Sequence, residues 1–248
     1  MKVSLFVTCL VDLLSPQVGT ATVTLLRRLG VEVTFNSEQT CCGQPAFNSG
    51  YTREARSVAE HMLEVFTQEL READYIVVPS GSCTTMVKRF YPELFAGDPS
   101  KQAQAEHVAA HTFELSQFLV DVLGVGDVGA SHTGQLVYHD SCHLLRELGV
   151  RSQPRKLIEA VAGAELVELR NADVCCGFGG TFSVKYPEIS TALAEEKIKS
   201  IEQSGVSTVV ACDAGCLMQM AGLLSRRGLP VRCLHIAELL ATQEEQRL

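Results

Sequence analysis

The sequence predicts an α/β protein made of two tandem, duplicated parallel-sheet domains related by pseudo-twofold symmetry. Two observations predict it. Short β-branched apolar runs alternate with longer segments of helical period, the pattern of parallel β–α units. The cysteines also repeat in register: Cys9 to Cys142 is 133 positions, Cys41 to Cys175 is 134, Cys42 to Cys176 is 134 and Cys83 to Cys216 is 133. Four matches at a near-constant offset indicate duplication. They place a first domain at 1–123, a glycine-rich linker at 124–133 and a second domain at 134–248.

In the first domain, residues 2–7 read as a strand ending near Cys9. Residues 17–29 have helical spacing and stop at Gly30. Residues 31–35 alternate as a strand leading to Cys41, and 52–71 form a long amphipathic helix. Residues 75–79 are a buried strand running into Ser80-Gly81-Ser82-Cys83, with a helix expected from about 84. The polar stretch 97–104 reads as an interruption, after which 111–123 resumes as helix. The second domain repeats this order. Its strands are expected at 135–139, 164–169, 208–211 and 231–234, and its helices at 154–161, 187–203, 217–226 and 236–241. His111 and His235 are expected to open matched helices, each with a glutamate three positions on, Glu114 and Glu238.

Composition excludes several classes. The 248 residues are 46% hydrophobic and 20% charged, which suits a globular chain. A net charge of -8 without a basic stripe argues against nucleic acid as a partner. No apolar run reaches the roughly 18 residues of a transmembrane segment, and residues 1–7 lack the features of a secretory leader. The expected location is therefore cytoplasmic. Ten cysteines in such a compartment point to metal or redox chemistry rather than disulfides. The sequence Gly124-Val125-Gly126-Asp127-Val128-Gly129 matches a dinucleotide-binding pattern in letters only. It follows a helix and opens none, so it reads as linker.

The chemistry concentrates in Cys41-Cys42-Gly43 and its echo Cys175-Cys176-Gly177. Adjacent thiols suit neither an ordinary disulfide nor a packed interior. With Cys9 and Cys83 in one half and Cys142 and Cys216 in the other, they form two sets of four, each cysteine just beyond an expected strand. The carboxyl ends of parallel strands share one edge, where ligands bind. Four converging thiolates suit an iron–sulfur cluster or zinc. Glycine at 43 and 177 lets backbone amides approach sulfur. Cys212 and Asp213 are further candidate ligands, and Cys233 reads as core. His139 and His143 flank Cys142 as candidate donors to sulfur or proton carriers. Arg146 is a candidate carboxylate holder and Phe178 a cover over the site.

The doubled Cys…Cys-Cys-Gly…Cys pattern resembles the cysteine-rich CCG-domain family. That family includes the cysteine-rich subunit of heterodisulfide reductases and the iron–sulfur subunit of glycolate oxidase. Pro79-Ser80-Gly81-Ser82-Cys83, His139-Asp140-Ser141-Cys142-His143 and Cys175-Cys176-Gly177-Phe178-Gly179-Gly180 carry the resemblance. It implies a subunit of a complex that oxidises L-lactate to pyruvate, alongside other iron–sulfur subunits. It also implies a [4Fe–4S] cluster in the second domain and an iron–sulfur cluster or zinc in the first. The family pattern ends in Cys-x-x-Cys, which supplies a fifth thiolate; here Ser80 and Asp213 stand at that position. A thiol/disulfide reductase subunit and a zinc-stabilised interaction module are the alternative readings.

Overall fold

The structure, a computed structural model, describes residues 1–243; the last residues of the expected second domain, 244–248, lie outside the described part. Two four-stranded, fully parallel sheets share one topology. The first has the order β2-β1-β3-β4, from Glu32–Thr34, Lys2–Leu5, Tyr75–Val78 and Thr112–Glu114. The second has the order β6-β5-β7-β8, from Ala162–Val167, Ser131–His139, Thr208–Ala211 and Arg232–His235.

Alternation along the strands builds three cores. Val3 and Val77 of the first sheet meet Leu136, Tyr138 and Val210 of the second in one apolar cluster common to both halves. Their strand neighbours point the other way. Ile76 and Val78 pack with Met62 and Phe66, and Val137 and Val209 pack with Ile198 and Ile201, each set beneath the long helix of its own half. Those helices, Thr52–Glu69 and Pro187–Ser204, follow the expected amphipathic segments.

Contacts between the halves are reciprocal, as pseudo-twofold symmetry requires. Helix Gly81–Thr85 packs on Cys142–Leu148, and Cys9–Leu14 packs on Ala214–Arg226. Helix Pro16–Arg28 packs on Ile236–Ala241, where Arg28 donates to the carbonyls of Leu240 and Ala241 at 2.6 and 3.1 Å.

Three expectations are corrected. The polar stretch 97–104 is not an interruption: Pro99–His111 is a helix, capped by the Asp98 side chain, which accepts from Lys101 N at 3.2 Å. It buries only Ala105, Val108 and Ala109, so its apolar stripe is too thin to register as a period. Residues 111–123 are not one helix. Strand β4 intervenes, and the chain then turns through Leu115–Gln117 and the π-helical turn Phe118–Val122. His111 accordingly closes a helix rather than opening one. Sheet register shows the true counterpart of His235: Glu114 pairs with Val78 as His235 pairs with Ala211. Each caps the helix that follows, Glu114 accepting from Ser116 N and Gln117 N, His235 forming a capping box with Glu238. Part of the stretch expected as linker is also strand, since β5 begins at Ser131.

Candidate metal centres

All eight cysteines of the repeated pattern lie beyond the carboxyl ends of strands. Cys9 and Cys142 open the helices that follow β1 and β5. The two Cys-Cys-Gly turns follow β2 and β6, and Cys83 and Cys216 sit in the first turn of the helices after β3 and β7. In each half one thiol pair is buried and the other half-buried: Cys42 with Cys83 and Cys176 with Cys216 lie inside, Cys9 with Cys41 and Cys142 with Cys175 nearer the surface.

The sulfurs of each half touch. Cys42 Sγ lies 3.4 Å from Cys83 Sγ, and Cys176 Sγ lies 3.0 Å from Cys216 Sγ. Gly43 N donates to Cys41 Sγ at 3.4 Å, and Gly177 N to Cys175 Sγ at 3.3 Å. Hydrogen bonds from Cys42 and Cys9 pull the Cys41 thiol down to about 3, and bonds from Cys142 and Cys176 pull Cys175 down to about 2. The donating thiols Cys9, Cys42, Cys142 and Cys176 are pushed up in turn. Each half therefore holds four contiguous sulfurs that bond chiefly to one another. That donor set fits a thiophilic metal or an iron–sulfur cluster.

The two glycines are required by geometry. Both have φ of +86°. A Cβ on Gly177 would stand 2.3 Å from Ser190 O, and one on Gly43 3.1 Å from Ala55 O. The long helix of each half thus presses on the turn that presents the cysteine pair. Tyr91, fully buried, donates to Cys42 O at 3.0 Å and fixes the first turn from beneath.

The two turns also meet across the halves. Thr181 Oγ1 donates to Pro45 O at 3.1 Å, and the hydroxyls of Ser49 and Thr181 are hydrogen-bonded. Lys185 donates to Tyr51 Oη at 3.0 Å. Phe178 lies against Gly215, where a Cβ would be 2.7 Å from its ring.

The remaining candidates separate. His139 is fully buried at the end of β5, with a ring nitrogen within 4.8 Å of the Cys176 and Cys216 sulfurs. Burial, then the Lys197 charge, pushes it down to about 3, so the ring is neutral. His143 Nδ1 lies 3.9 Å from Cys142 Sγ. Asp213 gives its Oδ1 to the first half, accepting from Ser80 Oγ at 2.8 Å and from Ser82 N and Oγ at 3.1 and 2.8 Å. Cys212 meets the Tyr138 hydroxyl at 3.1 Å, and Cys233 lies half-buried in β8. Arg146 donates to Asp173 O at 3.1 Å. The sequence reading missed Lys197, which is 1% exposed and donates to the carbonyls of Asn171 and Ala172, in the loop before Cys175. Its signal is positional: Lys197 falls on the buried face of the long helix.

Two parallel-sheet halves, each gathering four thiols at its strand ends, define a tandem cysteine-rich α/β protein with sites suited to metal or iron–sulfur binding. The chain belongs to the CCG cysteine-rich domain family, whose model matches residues 3–88 and 136–221. It is 54% identical over 240 residues to lactate utilization protein A of Geobacillus kaustophilus (strain HTA426), covering 97% of this chain and 98% of that one. It is 49% identical over 240 residues to lactate utilization protein A of Bacillus subtilis (strain 168), covering 97% and 99%. The protein of that name from Halalkalibacterium halodurans is 49% identical over 247 residues, covering 100% and 99%.

Proposed function

We propose that this chain serves lactate utilization as an iron–sulfur subunit of an oxidoreductase complex that oxidises L-lactate to pyruvate. The observation that carries the reading is the convergence of four thiols in each half, sealed by sulfur contacts of 3.4 and 3.0 Å. The relatives, named for lactate utilization and matched over nearly their whole length, support the substrate.

In this reading Cys142, Cys175, Cys176 and Cys216 hold a [4Fe–4S] cluster, and Cys9, Cys41, Cys42 and Cys83 hold a second cluster or zinc. A bound cluster supplies one-electron redox capacity. The chain's own residues do the rest. Cys42, Cys83, Cys176 and Cys216 keep the inner edge of each site away from water. The amides of Gly43 and Gly177 donate to the outer sulfurs, which spreads thiolate charge. Ser80 and Asp213 are engaged with each other, which favours four thiolates per site over the five of a heterodisulfide-type centre.

Among the described residues no helix is long and apolar enough to cross a membrane. The working location is the cytoplasm, and the partners are further iron–sulfur subunits that take the electrons onward. Each half then carries one site. The test is genetic and biochemical together. A strain lacking this chain should fail to grow on L-lactate, recover with the wild-type chain and not recover with Cys176→Ser or Cys216→Ser. Normal growth of the deletion strain on lactate removes the substrate.

A further inference from the structure

The two halves repeat in backbone but not in charge. Their long helices superpose in register, since the buried residues of one recur in the other: Ala55 with Ser190, Ala59 with Ala194, Leu63 with Ile198. In the same register Met62 of the first half corresponds to Lys197 of the second. Counting back from the matched Cys9 and Cys142, Phe6 corresponds to His139. The first site is therefore backed by a thioether, whose sulfur accepts from Thr40 N at 3.1 Å, and by a phenyl ring packed edge-on against Phe66 at 5.1 Å. The second is backed by an ammonium and an imidazole.

Both polar groups are buried, at 1% and 0% exposure. Lys197 spends two donors on the carbonyls of Asn171 and Ala172. Asn171 is one of only two non-glycine residues with positive φ among the described residues, at 59°, a backbone cost the Lys197 contact helps to hold. Burial pulls the Lys197 ammonium down, and the charges of Cys176, Asp173 and Cys216 oppose that shift. His139 has no hydrogen-bond partner on either nitrogen, although one lies within 4.8 Å of the Cys176 and Cys216 sulfurs. A buried N–H without a partner is costly; the neighbouring Ala172 carbonyl already accepts from Asp140 N and Lys197 Nζ, which leaves site sulfur as the free acceptor near the ring.

We propose that Lys197 and His139 raise the reduction potential of the second cysteine site, Lys197 by its charge and His139 by an N–H offered to site sulfur. The inference rests on the reading that the site holds an iron–sulfur cluster. Reduction adds a negative charge to a buried site, and a buried cation or an extra donor to sulfur favours the reduced state. The first half offers neither. In this proposal Lys197 and His139 are positioning residues that act on the charge and hydrogen bonding of the four thiolates, although the His139 ring nitrogen stands within 4.8 Å of two of those sulfurs.

The test uses the full chain purified anaerobically, with iron and acid-labile sulfide measured before an EPR-monitored redox titration. Cys83→Ser removes the first site and assigns the remaining signal to the second. In that assignment Lys197→Met, which installs the first half's residue, lowers the second-site midpoint by at least a tenfold change in the reduced-to-oxidised ratio, about 59 mV for one electron. Lys197→Arg keeps it near wild type, and His139→Phe shifts it down by less. Wild-type iron and sulfide with an unmoved midpoint in Lys197→Met overturns the inference alone. If that variant loses its cluster, His139→Phe decides on the same terms. A wild-type chain that binds zinc and no iron overturns the underlying reading and the inference with it.

Discussion

Ser80 and Asp213, the same position in the two halves, are hydrogen-bonded to each other: Ser80 Oγ donates to Asp213 Oδ1 at 2.8 Å. Ser82 N and Oγ add two more bonds to that oxygen, and a Cβ on Gly81 would come 2.6 Å from Leu144 Cβ. The position at which the family places a fifth thiolate is here the seam between the halves. The Asp213→Ala variant leaves three donors without their acceptor in a site 4% exposed at Asp213 and 5% at Ser80. Stability should fall by about 3 kcal/mol, since each unsatisfied buried group costs about 1–3 kcal/mol and these three share one acceptor. Urea unfolding of wild type and variant measures it. A change below about 0.5 kcal/mol would show that the seam does not depend on this carboxylate.

The two Cys-Cys-Gly turns should differ in their tolerance of alanine. Both glycines have φ of +86°, so both substitutions are strained. Only at Gly177 does the new Cβ fall 2.3 Å from a backbone carbonyl, against 3.1 Å at Gly43. Gly177→Ala should therefore lower the melting temperature and metal retention more than Gly43→Ala. Thermal melts with metal analysis of both variants check this, and equal losses would refute the difference in crowding.

Glu114 predicts a pH dependence. Burial raises its carboxyl from 4.5 to about 7, partly offset by bonds from Ser116 and Gln117. Between those values the folded chain holds a proton that the unfolded chain has released. Glu114's contribution to stability is thus largest below about 4.5, declines as pH rises through the window and levels off above about 7. Glu114→Gln removes the titration and keeps a side-chain acceptor for the helix cap. The variant should gain on wild type between pH 5 and pH 8 by roughly 2–3 kcal/mol, following 1.36 kcal/mol per unit over the two units from pH 5 to about 7. Parallel stability curves for both proteins would contradict the assignment.

How much of this was legible in the sequence follows from what each feature depends on. The cysteine register carried the duplication, because a strand end fixes where a following residue lies. The long helices and β7, expected at 208–211, emerged from strong periodicity or unbroken apolar runs. Helix Pro99–His111 was missed although Asp98 and Pro99 are a cap and a first-turn residue, because it leans on the protein with few apolar side chains. Strand β4 is three residues long and was absorbed into the helical period around it. Lys197 reads as a solvated lysine until the buried faces of both long helices are laid in register. The meeting of Ser80 with Asp213 depends on how the halves dock, which no local pattern encodes.

In the proposed function, four cysteines in each half form a thiolate site and the second site holds an iron–sulfur cluster. The most direct measurement is iron, zinc and acid-labile sulfide on anaerobically purified full-length chain, beside the Cys176→Ser/Cys216→Ser double variant. Wild type should contain roughly four iron and four sulfide per occupied [4Fe–4S] site. The double variant should lose the second site's share, leaving the content of Cys9, Cys41, Cys42 and Cys83 in place. Full iron and sulfide content in the double variant, or zinc alone in the wild type, would contradict it.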